Sequence, residues 1–237
     1  MALPKLNTPT YELEVPSTDE KIKYRPFLVK EEKILMIAME SKDNAQIVNA
    51  VKDIVTSCTF DKLNIATMPM FDVEYIFLNI RAKSVGEVSK LKVLCPDDKK
   101  TYVNTEVDLT EVEVHVDDKH TNKIELTDSM GMIMTYPTID SFTDSGIQTI
   151  DANNMLDVIG SCILQIYEDN GEKVFQAKDQ TKKELTEFIE SMNTSQFKQV
   201  QAFFDTMPKL KHTIKVKNPK TKKSSDVTLT GLNDFFA

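Results

Sequence analysis

The sequence contains no tryptophan, six glycines and three cysteines in 237 residues. The glycines are scattered, and no G-x-x-x-x-G-K or G-x-G-x-x-G run exists, so a backbone cradle for nucleotide phosphates is excluded. G-x-S-x-G and H-E-x-x-H are also missing, which removes the familiar hydrolase elbow and the helical zinc-protease signature. Cys58, Cys95 and Cys162 are odd in number and far apart, a pattern that fits a reducing compartment and not a disulfide framework. The longest apolar run, Ile34–Met39, is far short of a membrane span. The opening "MALPKLNTPTYELEV" carries proline where a signal peptide needs a continuous apolar core, so a cytosolic chain is expected.

What is present is charge, unevenly spread. The formal net charge is −8, which argues against a general nucleic-acid binder. Yet Lys209–Lys223 holds seven lysines and no acid, leaving the rest of the chain strongly acidic. Such a segment is either a solvated hairpin face or an electrostatic docking surface for an acidic protein partner.

The patterning predicts an α+β fold: helices in two groups, N-terminal and C-terminal β-hairpins, and a central antiparallel β meander. Tyr11–Val15 and Lys21–Tyr24 alternate with period two around the turn residues Pro16–Glu20, as a hairpin does. Helical spacing follows over Lys30–Glu40 and Asn44–Cys58. A third helix, Met70–Val85, is apolar nearly all round and therefore central. Short β-prone runs occupy Val88–Pro137. Met155, Leu156, Val158, Ile159, Cys162, Ile163 and Ile166 then predict another helix, with Cys162 a small buried hydrophobe. Gly171 turns the chain into a brief "KVFQA" strand. Thr181-Lys-Lys-Glu184 is a capping box ahead of one helix, and a second helix follows with Phe197, Val200, Phe203 and Phe204 on one side. The expected organisation is 1–90, hairpin plus three helices; 91–137, β meander; and 138–237, a helical half ending in a basic hairpin, all in one compact unit.

"KVLCPDDKKT" (Lys92–Thr101) and "KVKNPKTKKS" (Lys215–Ser224) share K-V-x-[C/N]-P-x-x-K-K-[S/T] without a gap. Common structure for the two turns is one reading and chance the other. Cys95 lacks a second thiol at zinc-knuckle spacing, but a mixed metal site from Cys95, His115, Asp117 and His120 is conceivable, either as a metal-dependent module or as an enzyme. A catalytic thiol would need a base, and no local signature supplies one to any cysteine. The pairs Asp97-Asp98 and Asp117-Asp118 read as turn solvation. Single-stranded nucleic-acid binding wants aromatics between lysines, which Lys209–Lys223 lacks, so a nucleic-acid adaptor remains an alternative only through that segment; Phe235 and Phe236 beyond it read as packing back on the domain or entering a partner's groove. By elimination the chain reads as a binding or assembly module.

Three stretches, "YRPFLVKEEKILMIAMES" (Tyr24–Ser41), "FDVEYIFLNIRAKSVGE" (Phe71–Glu87) and "TLTGLNDFFA" (Thr228–Ala237), resemble the baseplate hub assembly proteins of T-even-type contractile-tailed bacteriophages, myoviruses. "MTYPT" (Met134–Thr138) falls at the matching place between the β region and the second helical half. The resemblance implies a late, non-enzymatic protein that helps form the central hub, the piece that carries the tail spike and nucleates tube growth. It implies assembly in the host cytoplasm and leaves retention in the virion open. The implied partners are other phage baseplate hub proteins, with no cofactor, membrane, nucleic acid or small-molecule ligand. The contact residues expected are Lys215, Lys217, Lys220, Lys222 and Lys223, with Phe235 and Phe236 as an apolar anchor.

Overall fold

The computed structural model describes residues 6–41, 43–143 and 154–235. In chain order the elements are β1 (Tyr11–Glu14), β2 (Lys21–Tyr24), α1 (Val29–Ser41), α2 (Asn44–Cys58), α3 (Met70–Val85), β3 (Val88–Leu94), β4 (Tyr102–Asp108) and β5 (Glu113–His115). These are followed by β6 (Lys123–Glu125), β7 (Gly131–Met134), α4 (Ile139–Thr143), α5 (Met155–Ser161), β8 (Ile163–Glu168) and β9 (Lys173–Gln176). The chain closes with α6 (Lys182–Glu190), α7 (Thr194–Thr206), β10 (Lys209–Lys217), β11 (Ser224–Thr230) and α8 (Gly231–Asp234). The class is α+β, with every recorded strand pair antiparallel.

The chain forms two units: Met1–His115 together with Lys209–Ala237, and Val116–Pro208. This division cuts across the expected 1–90, 91–137 and 138–237 segments. The central strands do not form one meander. β3 and β4 pair only with each other, β5 pairs with β10 of the C-terminal hairpin, and β6 and β7 join β8 and β9. Strand alternation is a local signal, whereas the choice of partner is made by burial across the whole chain.

In the first unit α3 is the central element. Val73, Ile76, Leu78 and Ile80 are wholly buried, as an all-round apolar helix requires. The helix ends at Gly86, whose φ of 138° is open to glycine, and whose N–H closes on the Ala82 carbonyl. Leu78 and Ala82 pack with Leu91, Val107, Leu210, Ile214, Val216, Leu229 and Phe235, so both later hairpins cover one side of α3.

In the second unit the sheet β6-β7-β8-β9 packs against α5, α6 and α7 through Met132, Met134, Ile159, Ile163, Ile166, Leu185, Ile189, Val200 and Phe203. Thr181 and Glu184 form the expected reciprocal cap of α6. The helix expected over Met155–Ile166 stops at Ser161, and the chain continues as β8. The cause is a bulge. Met132 pairs with Ile166 and Met134 with Ile163, so β8 carries one more residue than β7 over that span. The extra residue lets two isoleucines three apart face the same core, imitating helical spacing within a strand. Cys162 is buried, as expected.

Candidate functional site

The two echoing segments open their turns in the same way and differ by one residue in how they close them, the Cys95 loop being the longer. Cys95 donates its N–H to the Thr101 carbonyl at 2.8 Å, and its own carbonyl accepts from Lys99 N–H at 3.0 Å. Asn218 donates to the Lys223 carbonyl at 2.9 Å, and its carbonyl accepts from Lys222 N–H at 2.9 Å. Lys99 and Lys222, each four residues after the turn's first position, have φ of 51° and 63°. A third copy lies in the first hairpin. Val15 donates to the Glu20 carbonyl at 2.9 Å and accepts from Asp19 N–H at 2.9 Å, and Asp19 has φ of 56°.

Proline follows the first position in all three turns, at Pro16, Pro96 and Pro219. It restricts that first residue to extended backbone, which ends the incoming strand. The first residues, Val15, Cys95 and Asn218, are all buried, at 2%, 0% and 1% exposure. Three different side chains therefore serve one structural position, and Cys95 sits there as packing. The Val15 copy has no sequence echo because only the proline and the left-handed residue four positions on persist; lysine does not.

The second and third turns are fastened together. Asp97 accepts the Asn218 side-chain amide at 2.9 Å through one carboxylate oxygen and a short hydrogen bond from the Thr221 hydroxyl through the other. The Thr221 and Asn218 donors hold the Asp97 carboxyl below its ordinary range. Asn218 Oδ1 in turn accepts from Lys220 N–H at 2.8 Å, ordering the third turn from within. Asp98 faces its own turn, accepting from the Thr101 hydroxyl at 2.6 Å and from the N–H groups of Thr101 and Lys100 at 3.0 Å. These donors push its carboxyl far down. The adjacent acids thus have separate tasks, one joining two hairpins and one capping a turn.

The consequence is a cationic face. Lys220, Lys222 and Lys223 are exposed around the third turn, and Lys99 and Lys100 are exposed on the second, which the Asp97 contacts hold beside it. Along β10, Ile214 and Val216 point into the core while Lys215 and Lys217 alternate outward. All five lysines expected from the sequence are exposed, and among the described residues none of them forms an ion pair. Lys99 and Lys100 were missed as members because only the fold brings their turn to this place.

Phe235 requires correction. It is fully buried in the core of the first unit, and its carbonyl accepts from the Ser89 hydroxyl at 2.8 Å. An aromatic ring with that much apolar surface is held by its own domain and is not an exposed anchor. Phe236 lies outside the described residues.

The candidate metal residues have other surroundings. His115 is an exposed residue at the end of β5, opposite Lys209. His120 belongs to the second unit, where Nδ1 meets Thr206 Oγ1 at 3.0 Å and Nε2 meets the Tyr136 hydroxyl at 3.1 Å. Its ring lies 5.2 Å from that of Phe203, and burial lowers its pKa, favouring the neutral imidazole. Asp117 accepts from Lys119 N–H at 2.8 Å, within a turn. Among the described residues no group of three His, Cys, Asp or Glu side chains is arranged to hold a metal ion. Burial raises the thiols, Cys58 to about 11 and Cys162 to about 12; Cys95 is raised by burial and by the nearby Asp97 and Asp98 carboxylates.

Among the described residues no helix is long and apolar enough to cross a membrane. Neither the curated proteins nor the solved structures contain a significant match to the chain. A family model described as "T4 bacteriophage base plate protein" matches residues 8–237, and with nearly the whole chain covered, the protein belongs to that family of phage baseplate proteins.

Proposed function

We propose that this baseplate protein is a non-catalytic component or assembly factor of the central hub, which holds hub subunits in an assembly-competent state through its lysine-bearing turns. The observation that carries the reading is the Asp97 clasp, which presents Lys99 and Lys100 together with Lys220, Lys222 and Lys223 as one ordered cationic surface on an acidic protein. A surface of this kind suits an acidic patch on another baseplate protein, accelerating encounter and fixing orientation more than it adds affinity. The protonated thiols and the doubly bonded His120 favour a binding role over an enzymatic or metal-dependent one. In this reading the protein works in the host cytoplasm during tail assembly.

The test is charge reversal at Lys215, Lys217, Lys220, Lys222 and Lys223, with co-purification from infected cells as the readout. Association with other hub proteins should fall while the circular-dichroism melt stays where it was. Unchanged association would overturn the reading. Steeply salt-dependent binding of the purified protein to DNA or RNA would instead transfer the same lysines to a nucleic-acid role.

A further inference from the structure

Helix α1 is built inside out. Its inward side carries Glu31, 3% exposed, which pairs with Arg25 at 2.9 Å and accepts Leu28 N–H at 2.7 Å, together with the small Ala38. Its outward side carries Val29 at 80% exposure, Met36 at 57%, Ile37 at 55%, Met39 at 49% and Ile34 at 45%. An apolar patch of this kind on a 13-residue helix is not the ordinary scatter of surface hydrophobes, and it marks an interaction surface.

The pattern of charge on that side identifies the occupant. Val29, Lys33, Met36 and Glu40 recur at i, i+4, i+7 and i+11, so they form one stripe along the exposed face. Among the described residues neither Lys33 nor Glu40 is ion-paired. If a second α1 is laid antiparallel, with the two-fold axis between Met36 and Ile37, then Met36 and Ile37 of both copies meet at the centre. Lys33 of each copy then faces Glu40 of the other, on both sides of the axis. The stripe is thus complementary to itself, as a two-fold interface requires. An unrelated partner would need no such pairing of apolar and charged positions about one point.

We propose that α1 is a self-association helix through which two copies of this chain pair antiparallel. In this register residues 32–41 of the two helices overlap, about 15 Å of helix, below the size of a standard stable interface, so the dimer is weak and concentration-dependent. Methionine at the centre of the contact suits an interface that forms and re-forms during assembly.

The experiment is sedimentation velocity on the full chain from micromolar to millimolar concentration. Wild type should pass from monomer to dimer, and Ile37→Glu should raise the dimer dissociation constant by about tenfold or more. Lys33→Glu alone and Glu40→Lys alone should each weaken the dimer by setting like charges across the axis. The double variant Lys33→Glu/Glu40→Lys should bring it back to the wild-type value. That recovery also shows that the single variants fold. A wild type that stays monomeric throughout would overturn the proposal, as would a dimer indifferent to Ile37→Glu or a double variant no tighter than the single ones. The outcome is independent of the lysine surface, whose variants are read by a different assay.

Discussion

Asp97 and Asn218 stand 121 residues apart in the chain, yet the Asn218 amide donates to the Asp97 carboxylate at 2.9 Å. Each belongs to a copy of the same proline turn, and their bond turns two separate hairpin tips into one surface. Asp97→Ala would remove the acceptor of both the Asn218 amide and the Thr221 hydroxyl. Asn218 is buried, so its unpaired amide should cost about 1–3 kcal/mol, a loss small enough to leave the protein folded. Binding to other hub proteins should nevertheless weaken, even though every lysine is kept. Asp97→Asn, which retains one acceptor oxygen, should lie between wild type and Asp97→Ala in the same co-purification assay.

The shared turn makes a prediction of its own. Lys99 and Lys222 occupy left-handed backbone, which costs a residue with a Cβ about 1 kcal/mol and costs glycine nothing comparable. Lys99→Gly and Lys222→Gly should therefore stabilise the fold by up to about 1 kcal/mol each in chemical denaturation. A substantial loss of stability at either site would show that the turn is not held as described. Glycine should give little at Asp19, since aspartate tolerates this backbone region better than lysine.

Much of this was legible in the sequence. The caps, the buried character of α3, the hairpins and the exposure of the five lysines all follow from local pattern, because spacing and turn chemistry act over a few residues. What failed required distant pairing. Ile163 and Ile166 look helical because a bulge in β8 reproduces a three-residue step. Val112 and Val114 mark β5 as a strand, but nothing local says that β5 joins β10 across some ninety residues of intervening chain. From the sequence, Phe235 can pack back on its own domain or enter a partner's groove, and only the placement of the β3-β4 and β10-β11 hairpins around it decides for the former.

That placement fixes what Phe235→Ala should do. Removing a wholly buried ring from among Leu78, Leu91, Leu210 and Leu229 leaves a cavity, and about 3–5 kcal/mol of stability should be lost in urea unfolding. A loss of partner binding at unchanged stability would instead restore the ring to a role as an external anchor. Phe235→Leu, which refills most of the volume, should recover the larger part of the loss.

Two glutamates of the first unit give opposite pH signatures. Glu31 is buried, which alone would raise its pKa, but Arg25, Leu28 N–H and Lys30 bring it down from 4.5 to about 2. Its contribution is present above its unfolded value and is lost as pH falls from 4.5 towards 2, amounting to about 3 kcal/mol. Glu74 is pushed the other way. Desolvation raises it to about 7, opposed only by a 3.5 Å hydrogen bond from Leu232 N–H. The folded state then binds a proton that the unfolded state has released, so between 4.5 and about 7 stability falls as pH rises. Denaturation followed across pH should show Glu74→Gln matching wild type below pH 4.5 and exceeding it by up to about 3 kcal/mol above pH 7. Glu31→Gln should be destabilised by about 3 kcal/mol at neutral pH, since it leaves the half-buried Arg25 without its carboxylate, and the deficit should close as wild type is titrated towards pH 2. If the two variants changed stability in the same direction at neutral pH, the environment of one of these carboxyls would differ from that described, and the sign would tell which.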